Sequence, residues 1–316
     1  MEDGDNQYYG GGSDKKFKRG KNKSKVENAP TNTVRLTSGD PNYPPDVRGA
    51  KHYSRDWRES QGAVKKVTDQ GKKDTCWVHS TNKSIEAKVK ILFDLDISLS
   101  DRHLYDGIDK KRAEGAVRNF EEIRTFLKNE GVIRKDDCEC AKRTDKKDPC
   151  TRKIMREEVP VLKIDELVTI KEVNEEELIK LVDIAPVVVS IEVTKQLRTH
   201  KGEGIYYGPK TSKKTKGDHV VLLIGYNSLN GEHYWIIQNS WGTTWGDGGF
   251  AKISRACSRV GCQNQSLFST VVYPVFMASS DMYLVCRHSN NYYVFSKTEY
   301  GFTVKRKWNI VKVYSE

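Results

Sequence analysis

Nowhere in the 316 residues do about 18 apolar residues follow one another, so no membrane-spanning helix is expected. The opening stretch "MEDGDNQYYGGGSDKKFKRG" holds no apolar core of roughly 7–15 residues and is not read as a signal peptide. No glycine-rich phosphate loop precedes a helix, and no histidine pair has metal spacing, so neither a nucleotide nor a metal cofactor is expected. Cysteines are few: Cys76, Cys138, Cys140, Cys150, Cys257, Cys262 and Cys286. Their odd number leaves at least one thiol free if the others pair. Cys138, Cys140 and Cys150 lack a fourth ligand at a familiar zinc spacing, and reduced thiols are expected instead. No internal repeat is visible.

What the chain has in quantity is charge. Charged residues make up 31% and hydrophobic residues 36%, which fits a soluble globular unit with polar tails. The net charge is +11, and "KKFKRGKNKSK" (15–25) carries seven Lys or Arg. A basic cluster can bind nucleic acid or act as a nuclear address. No RNA-binding or helix-turn-helix pattern accompanies it, so a solvated tail is the expectation and nucleic acid is not an expected partner. Residues 1–50 are rich in Gly, Asn, Asp, Lys and Pro and are expected to be disordered, with order beginning near Asp56 and Trp57.

The periodicity then divides the chain. A helix is expected from Cys76, with Val78, Ile85, Val89 and Leu92 on one face and Asp74 or Thr75 as its N-cap. A second helix is expected over 113–129, with Val117, Phe120, Ile123 and Leu127 on one side, and a short one over 174–183. Residues 135–160 read as loop. Strands are expected at 186–193, 219–226, 233–239, 249–254 and 268–275. Helices first and strands second argue an α+β fold, in which two lobes could meet at a cleft. The segment 278–316 has β-like pieces and no assigned role.

The stretch "DQGKKDTCWVHS" (69–80) carries the chemistry. A cysteine attacks carbonyls as thiolate, and an ordinary thiol with a pKa near 8.5 is mostly protonated at neutral pH. At the start of a helix, the macrodipole favours an anion on Cys76. A histidine could form an ion pair with it. Lys72 and Lys73 add a screened attraction, and Asp74 opposes all three. His219 opens an apolar strand in "KGDHVVLLIGY", where an imidazole can face a cleft. Asn239, in "QNSWGTTWG", could hold the imidazole tautomer. Gln70 could donate its amide to a developing oxyanion together with the backbone N–H of Cys76. His79, three residues after the cysteine, is expected to be a packed helix residue.

These motifs, "DWRESQGAVKKVTDQG", "CWVHS", "GDHVVLLIGY" and "YWIIQNSWGTTWGDGGF", resemble the papain family of cysteine peptidases over about 55–277. The order Gln, Cys, His, Asn is the family's. The resemblance implies a papain-like two-lobe fold, with a helical lobe carrying Cys76, a β-barrel-like lobe carrying His219 and Asn239, and the active site in the cleft between them. It implies residues 51–277 as the peptidase domain and protein or peptide substrates. In this reading Cys76 is nucleophile, His219 base and then acid, Asn239 the orienter and Gln70 the oxyanion donor. Trp241 is implied as the aromatic shield, and Asp74, Trp77 and Trp241 are expected at the substrate. A monomer is expected. The chain as written is expected inside the cell, in cytoplasm or nucleus, with vacuole, lysosome or extracellular space as the family's alternative.

Several positions depart from the family pattern C-G-S-C-W. Lys73 stands where a disulfide cysteine is usual, and the partner motif C-N-G-G is replaced by "KKRAEGAVRNF". Losing both halves together fits a reducing compartment. Asp74 replaces a pocket glycine and is either a determinant for a basic residue before the scissile bond or only an N-cap. Cys257 and Cys262 lie near the position of a family disulfide cysteine, and pairing between the two is left open. The residues ahead of the catalytic unit show no helical periodicity, so no prodomain is read there, and a catalytically weak papain-fold interaction protein is the alternative function.

Overall fold

The structure, a computed structural model, describes residues 54–276 with breaks at 110, 113, 139–160, 173, 210–217, 230–231 and 256–265, and the backbone of strands between 283 and 309. The basic segment 1–50 and Cys140, Cys150, Cys257 and Cys262 lie outside the described residues, as does most of the loop expected at 135–160.

Order begins at β1 (Arg55–Asp56), followed by α1 (Cys76–Phe93), α2 (Asp101–Asp106) and α3 (Glu121–Asn129). The short strands β2 (Val132–Ile133) and β3 (Val161–Leu162) pair with each other, and β4 (Glu166–Lys171) leads to α4 (Glu175–Ile184). After it come β5 (Val187–Glu192), α5 (Lys195–Arg198), β6 (Ile205–Tyr206), β7 (Asp218–Leu229), β8 (Glu232–Gln238), β9 (Phe250–Ser254) and β10 (Phe268–Val275). One eight-stranded sheet runs β4-β10-β5-β7-β8-β9-β6, with β1 added to β7. The backbone of 283–309 forms a separate antiparallel meander, β11 (Tyr283–His288), β12 (Asn291–Thr298) and β13 (Gly301–Asn309). Among the described residues, no helix is long and apolar enough to cross a membrane.

Among the described residues three apolar cores form, and the two larger ones lie in the two parts. The first gathers α1, α2 and α3 through Ile85, Val89, Leu104, Ile123 and Leu127. The second lies on the sheet and holds Val189, Leu223, Trp235, Ile237 and Ile253, closed by Leu178 and Val182 of α4. This is the α+β, two-part arrangement that the helix-then-strand order points to. All five expected strands form, and β7 extends beyond the apolar run at both ends.

The helices need more correction. α1 is not amphipathic in the expected sense. Val78, Ile85 and Val89 are buried, and so are Ser80, Asn82, Lys83, Ser84 and Glu86. The helix is packed on both faces, and its short polar groups serve the sheet: Ser80 Oγ donates to Val220 O at 3.2 Å and Ser84 Oγ to Pro186 O at 2.9 Å. Glu86 accepts the Leu99 N–H at 2.6 Å, and burial pushes its carboxyl up to about 8. α1 ends where Asp94 turns left-handed at φ 54° and its N–H closes on Lys90 O. The expected helix over 113–129 starts only at Glu121, because Gly115 sits at φ +97° in a turn, yet Val117 and Phe120 still reach the core. α4 forms as read, with Asn174 Oδ1 capping the Glu177 N–H and three Glu side chains in the first turn matching the helix dipole.

Because α1 is the element both parts share, truncating it should be costly. Ile85→Ala is expected to lower stability by about 2–5 kcal/mol, read as a lower urea midpoint at unchanged slope. The same truncation at Leu229, which is 50% exposed, is expected to change it by no more than about 0.5 kcal/mol. Equal shifts at the two sites would contradict the packing described.

Candidate active site

The first turn of α1 carries Cys76 at the N-terminal end of the helix. The N-cap is Thr75, and its side chain makes no capping hydrogen bond, so the expectation that Asp74 caps this helix is corrected. Asp74 is half-buried one position earlier, its N–H donating to Glu114 O at 2.8 Å. Three backbone N–H groups converge on the Cys76 sulfur, from Val220, Trp77 and Cys76 itself. The latter two are helix-start donors with no intrahelical acceptor. Val220 is next in chain to His219, so this contact seats the sulfur against β7.

His219 lies on β7 with no exposed surface. Its Nε2 is 2.6 Å from Asn239 Oδ1. The Ser240 N–H donates to the same Oδ1 at 2.7 Å. A backbone N–H can only donate, so that atom is the amide oxygen and His219 Nε2 must carry the hydrogen. In the neutral ring, Nδ1 is therefore the basic nitrogen. It is buried with no hydrogen-bond partner among the described residues. The indole of Trp241 stacks on the imidazole, centroids 4.3 Å apart and 24° between planes.

Gln70 is brought to the same place by pairing of its segment with that of Asn239. The Gln70 N–H donates to Ser240 O at 2.8 Å and the Gly242 N–H to Thr68 O at 3.0 Å. Ser240 Oγ donates to Gln70 Oε1 at 2.6 Å, and Gln70 Nε2 donates to Lys73 O at 2.6 Å. These two bonds fix the amide orientation and leave one Nε2 hydrogen for another acceptor. The glycines of "SWGTTWGDGG" shape the return of this loop: Gly246 has φ +60°, and a Cβ there would lie 2.2 Å from Phe250 O. Ser240, Thr68 and Val220 are the site residues that sequence reasoning missed. Serine and threonine are too common to signal a role, and Val220 acts through its backbone.

Trp77 departs from its expected place at the substrate. It is fully buried in the helical core, its Nε1–H donates to Gly115 O at 2.9 Å, and its ring stacks on Tyr105. It ties the cysteine turn to the 114–116 loop. The Asp74 N–H bond to Glu114 O adds a second tie. Lys73 and Lys111 place their ammonium groups 5.6 and 4.7 Å from the Tyr105 ring centroid. Lys73 and the segment of Lys111 are the two places where the sequence reading expects a departure from the family's disulfide pattern. His79 is held by Asp101, Nδ1 to Oδ2 at 2.8 Å.

Burial dominates the electrostatics. It pushes the Cys76 thiol up to about 12, with the Asp74 charge adding to it and the Val220 N–H opposing it. It pushes the His219 imidazole down to about 4, with the Asn239 hydrogen bond opposing it and the Arg198 charge adding to it. Against a neutral neighbour, each group stays neutral. The arrangement offers a buried thiol at a helix start and a buried imidazole whose unbonded nitrogen is its basic one. Among the described residues, no group of three or more His, Cys, Asp or Glu could hold a metal ion.

The family model described as papain family cysteine protease matches residues 52–272. The chain belongs to this family. Over 203 residues it is 35% identical to the KDEL-tailed cysteine endopeptidase CEP2 of Arabidopsis thaliana, covering 64% of this chain and 54% of that protein. It is 33% identical over 228 residues to the probable cysteine protease RD21B of the same plant, covering 72% and 47%. The chain thus spans about half the length of the curated relatives it matches. Among solved structures, the Carica candamarcensis cysteine protease CMS1MS2 in complex with E-64 matches with a TM-score of 0.58 at 27% identity, over 71% of this chain and 98% of that one. The bromelain protease of Ananas comosus in complex with E64 matches with a TM-score of 0.57 at 25% identity, over 71% and 99%.

The buried imidazole has a consequence for acid stability. A histidine in the unfolded chain titrates near 6.5. Between pH 6.5 and about 4 the unfolded state binds the proton that buried His219 refuses, so acid favours unfolding across that window. In a Cys76→Ser background, this one group is expected to remove about 3 kcal/mol of stability between pH 6.5 and 4, measured by urea denaturation. Adding His219→Gln should abolish that part of the slope. Identical slopes with and without His219 would contradict its burial as a neutral ring.

Proposed function

We propose that the chain is a cysteine peptidase that hydrolyses protein or peptide substrates through an acyl-enzyme formed on Cys76. The observation that carries this reading is the one-sided bonding of His219: Nε2 is spent on Asn239 and Nδ1 is left unspent, while the backbone of the next residue, Val220, reaches Cys76. In this reading Nδ1 takes the thiol proton, and Sγ adds to the scissile carbonyl carbon. The developing oxyanion accepts the Cys76 N–H and the remaining Nε2–H of Gln70. His219 then gives its proton to the departing amine, leaving a thioester on Cys76. A water, deprotonated by His219, adds to the thioester and restores the thiol. Asn239 holds the ring in the required tautomer, and Trp241 keeps water from the His219–Asn239 bond. Asp74, whose charge is felt at Cys76, favours a basic residue before the scissile bond.

A second reading, a papain-fold interaction protein without turnover, draws on one observation: Cys76 has no exposed surface. The experiment that separates the two is hydrolysis of a fluorogenic dipeptide panel by the wild type, Cys76→Ser and Gln70→Ala. The wild type should hydrolyse at least one member, fastest with Lys or Arg before the bond. Cys76→Ser should fall by about 10³-fold or more, and Gln70→Ala by about 10²-fold in kcat. Equal rates for wild type and Cys76→Ser would remove the peptidase reading.

A further inference from the structure

We infer that Arg198 makes this site prefer an acidic residue immediately after the bond that is cut. The inference rests on the peptidase reading above and assigns its leaving-group side. If His219 protonates the departing amine, the residue carrying that amine must leave past the imidazole and whatever covers it. The cover is Trp241, stacked on the His219 ring and itself half-exposed. The next group outward is Arg198, an exposed side chain at the end of α5 whose guanidinium carbon lies 5.9 Å from the Trp241 ring centroid. Lys195, also exposed, shares that four-residue helix.

The field at the site has two ends of opposite sign. Asp74 acts on Cys76 as a negative charge and disfavours thiolate. Arg198 acts on His219 as a positive charge and disfavours imidazolium. Each charge is therefore within electrostatic reach of one reacting group while opposing its charged form. Neither helps form the ion pair, so catalysis alone does not account for them. They do match a substrate whose charges run basic before the scissile bond and acidic after it. Such a peptide would bring a carboxylate to Arg198 as the amine departs and so offset the cost to His219. The guanidinium is exposed, so the effect is that of a screened surface pair, about 2- to 5-fold in rate.

A purely structural Arg198, one that only braces Trp241, would leave substrate charge without effect. The test uses the full chain and three internally quenched peptides that differ only in carrying Glu, Gln or Lys after the scissile bond. Each kcat/KM is divided by the same variant's rate on a fluorogenic amide with a small neutral leaving group, so losses in folding or general activity cancel. The wild type should rank Glu over Gln over Lys, with about 2- to 5-fold per step at low salt and a compressed range near 0.5 M salt. Arg198→Lys should keep the order, Arg198→Gln should flatten it and Arg198→Glu should invert it. An order that is absent in the wild type, or the same in wild type and Arg198→Glu, overturns the inference while leaving the peptidase intact. No hydrolysis of the fluorogenic amide by the wild type removes the peptidase reading and this inference with it.

Discussion

Helix α1 is buried along both faces, and the rest of the molecule depends on that constraint. One face closes the helical core through Ile85 and Val89. The other lies on the sheet, where Ser80 bonds Val220 O and Ser84 bonds Pro186 O. A helix fixed on two sides cannot slide along its axis without breaking buried hydrogen bonds, each of which is costly to leave unmade. Its N-terminal turn is therefore fixed against β7, which sets Cys76 next to the residue after His219. In the proposed reading the reactive pair is therefore a property of the junction between the two parts, and neither part holds it alone.

The second fixed joint is the pairing of residues 68–70 with 240–242. It connects the loop before α1 to the loop after β8 and carries Gln70 and Asn239 on its two sides. Ser240 is its centre: its N–H holds the Asn239 oxygen and its hydroxyl holds the Gln70 oxygen. One serine thus sets the orientation of both amides, and through Asn239 the tautomer of His219. At this end of the molecule the cysteine turn is tied to the 114–116 loop by the Asp74–Glu114 and Trp77–Gly115 hydrogen bonds and by the two lysines on Tyr105.

Much of this was legible in the sequence where local pattern and tertiary role coincide. The strands of the sheet read clearly because continuous Val, Ile and Leu runs are buried on both sides. The short elements α2, α5, β2 and β3 left no periodic signal, being too short to repeat. In sequence the Ser, Asn, Lys and Glu residues of α1 look like a solvent face, and only the tertiary fold supplies their partners, Val220, Pro186, Asp101, Thr68 and Leu99. Cys76, His219, Asn239 and Gln70 were legible because each sits in a distinctive motif, and the fold brings those motifs together. Trp77 departs from the substrate side for a geometric reason. Neighbouring helix residues point about 100° apart, so adjacency to Cys76 sends the indole into the core.

We propose that the buried Cys76 and His219 exchange one proton. The rate of iodoacetamide alkylation at Cys76, followed by mass spectrometry from pH 5 to 9, tests it directly. An exchanged pair predicts a wild-type rate that varies by no more than about threefold between pH 5 and 8, because the thiolate persists while His219 holds the proton. In His219→Ala, with the buried thiol pushed up to about 12, the rate should fall about tenfold per pH unit across the whole range. A wild-type rate that falls in step with that of His219→Ala would contradict the pair.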